Sequence, residues 1–161
     1  MVLSQVFLSL GDASFSHLLK TVSLGKLRTY QLFEQVKVRA HLVKLNSETL
    51  RKAAPRLWAR LAGGDEDLAR DLAQAILVSH LGMIHEALDV LGIPNEDGFF
   101  SKDIDAKAHL AAGWQQKVYD ALNQKYPGPA LIFYINHLAW ELDQEAGLFA
   151  PPAQVSERPA D

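Results

Sequence analysis

Residues Asp65 to Gly92 read DEDLARDLAQAILVSHLGMIHEALDVLG, and this stretch decides the fold. Wound at about 100° per residue, it places Leu72, Ala73, Ile76, Leu77, Ile84, Ala87, Leu88 and Leu91 on one broad side and Asp71, Gln74, Glu86 and Asp89 opposite. The spacing predicts one long helix over 65–92. Gly63 and Gly64 break the chain before it, Asp65 can cap its first N–H groups, and Glu66 and Asp67 offset the positive end of its dipole. Gly92 and Pro94 supply a left-handed stop followed by a residue that cannot continue a helix. An apolar arc this wide needs cover on two flanks, so the rest of the chain is expected to pack around it.

Working outward, SFSHLLKTV (14–22) reads as a short helix. Leu24 to Lys44 carries two apolar stripes and is expected to be one helix between layers, with Lys26, Lys37 and Lys44 on a solvated strip between them. Asn46 or Ser47 caps a further helix, SETLRKAAPRLWARLAG, which Pro55 should kink or restart. After the central segment, IPNEDGFFSKD is a turn-rich connection, and Ile104 to Tyr126 reads as an amphipathic helix. Pro127-Gly128-Pro129 ends it and opens a last helix, Ala130 to Leu142, apolar almost all round. With no strand signal of useful length, residues 1–145 form a single all-α domain of about six helices around 65–92. Residues 146–161, with Pro151, Pro152 and Pro159, have little to bury and are expected to be a disordered tail.

Composition narrows the function classes. The 161 residues contain no cysteine, which excludes disulfides and thiolate metal sites and fits a reducing, cytoplasmic setting. The most apolar run is short and interrupted by Asn136, His137 and Glu141, so no membrane span is expected. The N-terminus lacks the basic start of a signal peptide and reads as mature chain. Net charge is uneven. Residues 1–62 carry ten basic and three acidic groups, +7, whereas 63–161 carry six basic and sixteen acidic groups, −10. Such a split fits an anionic partner for the first part, or complementary halves that meet within a subunit or by self-association.

Within the basic part, Val38 to Ala53 (VRAHLVKLNSETLRKA) resembles a helix-turn-helix, with Ala40 the small residue, Leu45 in the turn, Ser47 capping, and Leu50 and Ala53 inward. The resemblance implies nucleic-acid binding over 38–60, with Arg51, Lys52, Arg56 and Arg60 on phosphates or base edges. Lys44 stands where glycine is usual in the turn, and Pro55 interrupts the second helix.

Histidines are the other signal. His80 lies in the middle of the apolar arc, where a buried imidazole needs a partner, either as a core hydrogen bond or as a ligand or proton-transfer group. Three histidines have a carboxylate four residues away: His85/Asp89, Asp105/His109 and His137/Glu141. That spacing sets both groups on one helical face. The first two read as surface ion pairs. His137 and Glu141 lie on a helix that looks buried, and with His80 they form a candidate buried polar cluster, joined by Tyr134 or Asn136. No HExxH, Glu-x-x-His, calcium loop, nucleophile elbow or phosphate loop occurs, so no metal or cofactor is expected.

Three readings follow. The first is a helical interaction or small-ligand-binding module with a protein partner or self-association. The second is a nucleic-acid binder, and the third a small enzyme or metal protein built on the His/Glu cluster.

Overall fold

The computed structural model describes residues 1–38 and 46–151. It is all-α, as the periodicity predicts, in nine α-helices among the described residues. These are α1 Leu3–Leu8, α2 Asp12–Lys20, α3 Leu24–Thr29, α4 Leu32–Gln35, α5 Ser47–Ala62, α6 Glu66–Ser79, α7 Leu81–Leu91, α8 Trp114–Leu122 and α9 Gly128–Leu142. No helix among the described residues is long and apolar enough to cross a membrane.

The stretch 65–92 is helical but divided. Asp65 caps α6 as expected, its carboxylate accepting from the Leu68 N–H at 3.0 Å. The α-helical run then stops at His80, whose φ and ψ of −129° and 31° lie outside the helical well. The Ser79 hydroxyl donates to the Ala75 carbonyl at 2.7 Å, a back-bond of the kind that bends helices. His80 ends α6 and opens α7, its carbonyl accepting from the Ile84 N–H at 3.0 Å. Gly92, at φ 72°, closes α7 as the sequence predicts. The two halves take different neighbours: α6 lies against α1, α3, α4 and α5, and α7 against α8.

The innermost helix is α9. Nine of its fifteen residues are buried, among them the polar Asn136 and His137, so it rather than 65–92 runs through the core. Packed on it is α1, too short for a periodic signal in the sequence, which buries Leu3, Val6 and Phe7. The Phe7 ring meets Phe133 of α9 at 4.7 Å and Phe15 of α2 edge-on at 6.0 Å between centroids.

Three other expectations need correction. Leu24 to Lys44 is not one helix, because Gln31 and Lys37 take positive φ (57° and 59°); the chain makes α3 and α4 instead, and residues 39–45 lie outside the described part. Ile104 to Tyr126 holds only α8 and a 3-10 turn over Ala106–His109, with Gly113 at φ 80° between them. Asp105 therefore caps Ala108 (3.4 Å) rather than sharing a face with His109. Within IPNEDGFFSKD, β1 (Asn95–Glu96) pairs antiparallel with β2 (Phe99–Phe100) across an Asp97-Gly98 turn in which both residues have positive φ. Pro55, by contrast with its expected effect, leaves α5 continuous from Ser47 to Ala62.

Residues 146–151, the first part of the expected tail over 146–161, dock on α8 and α9. The Asn136 side chain accepts from the Phe149 N–H at 2.5 Å and donates to the Phe149 carbonyl at 3.1 Å, pairing with the strap as a neighbouring strand would. Gln115 donates to the Gly147 carbonyl at 2.9 Å, and Phe149 rests on the Tyr119 ring at 5.4 Å. Residues 152–161 lie outside the described part. At about 1 kcal/mol for each net hydrogen bond, Asn136→Ala should destabilise the fold by about 2 kcal/mol in urea titration. It should also release the Phe149 amide to rapid hydrogen exchange; unchanged stability with retained protection would contradict the clamp.

Candidate functional site

A cleft of about 200 Å³ opens where α6 ends and α7 begins. Gln74, Leu77 and Val78 of α6 and Leu81 and Ile84 of α7 form one side. Tyr134, His137 and Glu141 of α9 form the other, three residues at helical spacings of three and four and thus in one row. Gly98, Phe99 and Phe100 of the hairpin close the end.

The hairpin is held by a second histidine. Asn95 Oδ1 is an acceptor that also takes the Gly98 N–H at 3.2 Å, so His85 Nδ1, 2.7 Å from it, must carry a proton and donate. His85 Nε2 stands 3.2 Å from Asp89, and Asn95 Nδ2 donates to the same residue at 3.0 Å. The Asn95 hydrogen bond first, and then the Asp89 charge, raise the imidazole's pKa above its ordinary value. Gly98 sits so close to α7 that a Cβ there would lie 2.8 Å from the Leu81 carbonyl oxygen, at a φ of +94° that other residues resist. Phe99 ends up 57% exposed at the rim.

His137 is the chemical centre of the cleft. Only 6% of it is exposed, and its Nδ1 has no hydrogen-bond partner among the described residues. Burial pushes its pKa down to about 4, which keeps the ring neutral at pH 7. Glu141 Oε2 is 3.7 Å away, beyond hydrogen-bond reach, and that side chain is 40% exposed at the mouth. Partial burial raises the Glu141 carboxyl above its ordinary range, and burial together with the Glu141 charge raises the Tyr134 phenol. The Phe133 and Trp140 rings flank His137 at 5.9 and 5.3 Å and fix its plane.

Of the predicted buried cluster, His137 and Glu141 meet and His80 is not with them. His80 Nε2 lies 2.9 Å from the Thr21 hydroxyl at the end of α2. Thr21 spends its single proton on the Leu18 carbonyl at 2.6 Å, so it accepts from His80, whose proton is on Nε2. Partial burial lowers the His80 pKa. This is the satisfied structural histidine of the two readings, and Asn136 is likewise occupied by Phe149.

The basic candidates divide. Arg56 Nη1 donates to the Val36 and Lys37 carbonyls (3.2 and 3.0 Å), and Arg60 Nη1 to that of Gln35 (3.1 Å). These are carbonyls left without intrahelical partners at the end of α4, and the two arginines cap them. Arg60 Nε also reaches Asp65 at 2.9 Å, tying the basic part of the chain to the acidic one. Arg51 pairs with Glu48 one turn away on the surface, and Lys52 is exposed. The turn of the helix-turn-helix-like segment falls on 39–45, outside the described residues. Among the described residues no group of three or more His, Asp and Glu is placed to hold a metal ion.

Sequence reading missed the hairpin wall and the apolar wall of the cleft. The Asp97-Gly98 pair, which favours a two-residue hairpin turn, was the available signal for the first. For the second there was none, since Leu77, Leu81 and Ile84 look the same in a continuous helix.

The neutral state of His137 has a consequence for stability. An unfolded chain protonates this histidine at about pH 6.5, and the folded one only near 4. Protons therefore favour the unfolded state in that window. The contribution is whole above pH 6.5 and falls away as the pH drops toward 4, by roughly 3 kcal/mol in all. Urea titrations at pH 7 and 4.5 should show the native chain losing about 2 kcal/mol more than His137→Leu. His80 and His85 titrate in both proteins and cancel in that difference; parallel losses would contradict a buried neutral His137.

No protein-family model matches the chain, and no curated protein or solved structure is significantly similar to it.

Proposed function

We propose that the chain is a small-ligand-binding domain whose site is the cleft between α6, α7, α9 and the hairpin, and that it works in the cytoplasm, a setting its lack of cysteine allows. The observation that carries this reading is His137, a residue of the cleft lining whose buried Nδ1 has no hydrogen-bond partner among the described residues. Leaving such an atom unsatisfied costs about 1–3 kcal/mol, and a ligand that hydrogen-bonds to it recovers that amount. Around it stand the remaining elements of a binding pocket: apolar walls from Leu77, Leu81, Ile84 and Phe100, and a few convergent polar groups from Tyr134, Glu141 and Gln74.

Binding fits the geometry better than catalysis. A general base works best with a pKa near the operating pH, whereas burial holds His137 near 4 and Glu141 is too far to accept its proton directly. The small volume favours a compact ligand: at about 30 Å³ per water, the cleft displaces about seven.

A fragment library screened by amide and methyl NMR tests this. At least one polar fragment should shift the resonances of Leu77, Tyr134 and Phe100 in a saturable manner, and His137→Leu should weaken it about tenfold, the loss of one buried hydrogen bond. A library that shifts no cleft resonance, or hits indifferent to His137→Leu, would overturn the proposal.

A further inference from the structure

Resting on the cleft as the binding site, we propose that its ligand is a small organic cation, an ammonium group on a compact apolar body, with the nitrogen seated against Glu141. The first argument is the sign of the lining. Glu141 is the only acidic residue of the lining, and no lysine or arginine lines the cleft. A carboxylate or phosphate placed there would face Glu141 with no counter-charge, a repulsion strongest where water is thin. The part of the chain that supplies the cleft, residues 63–161, carries a net −10 and adds a field of the same sign.

Hydrogen-bond inventory gives the second argument. An ammonium has three donors and no acceptor, so it needs a site made of acceptors. Among the residues that line the cleft, Glu141, Tyr134 and Gln74 each carry an oxygen that can accept. Geometry makes the third. Glu141 stands at the mouth with its side chain 40% exposed, so a cation can meet the carboxylate there while its apolar body enters the cleft. Beyond the polar row, Phe99 and Phe100 line the cleft and supply ring surface for the apolar body.

Three probes of nearly equal size separate the possibilities: benzylamine, benzyl alcohol and benzoate, each titrated into the full chain at neutral pH with NMR detection of Tyr134 and Phe100. Benzylamine should bind at least about tenfold more tightly than benzyl alcohol, and benzoate should give no saturable shift. Glu141→Gln, at the exposed mouth of the cleft, should bring the amine down to the affinity of the alcohol and leave the alcohol unchanged. Equal binding of amine and alcohol at the cleft, or preference for benzoate, would overturn the cation assignment while leaving the cleft as a binding site. Cleft resonances unmoved by all three would count against both.

Discussion

The structure depends on a break in its most regular stretch. Residues 65–92 hold an apolar face long enough for a single helix of nearly thirty residues, but one straight rod of that length would pass beyond a core of this size. At His80 the backbone leaves the helical well, and the change of direction is secured from outside by the Thr21 hydroxyl and from inside by the Ser79 back-bond. From that point α6 turns its apolar face to the N-terminal helices and α7 turns to α8 and the hairpin.

The cleft is a product of the same break. Leu77 and Val78 lie just before the bend and Leu81 and Ile84 just after it, so the side chains that would have interlocked across a continuous helix part around a space. Across that space α9 presents Tyr134, His137 and Glu141 in a row. Protein interiors rarely leave a buried nitrogen without a partner, because unmaking a hydrogen bond to water costs more than most single contacts return. His137 Nδ1 is therefore the feature that separates this cleft from a packing gap. The hairpin adds a wall whose position is fixed by charge and hydrogen bonding through His85, Asn95 and Asp89, and by the absence of a side chain at Gly98.

What could be read from the chain alone follows from which interactions are local. The helix class, the Asp65 and Asn46 caps, the Gly92 stop and the inward face of α9 are written in spacings of three and four and in single capping residues. The pairing of His137 with Glu141 is one such spacing, and it survived into the site. The break at His80 was not legible, because the apolar period runs through it and the partner of its imidazole, Thr21, is 59 residues away. The same holds for the docked strap, whose partner Asn136 looked like a break in an apolar run rather than a clamp for backbone. Arg56 and Arg60 likewise bond over long separations, donating to carbonyls at the end of α4, 19–25 residues away. Long-range polar contacts leave no period, and they decide both the break and the site.

The most direct measurement is a crystal structure of the native chain at a resolution that shows ordered solvent. The account predicts that the helix breaks at His80, that the cleft persists, and that a water or small molecule lies about 2.7–3.2 Å from His137 Nδ1 between α6 and α9. A helix continuous through His80, or a protein side chain covering that nitrogen with the cleft closed, would contradict it.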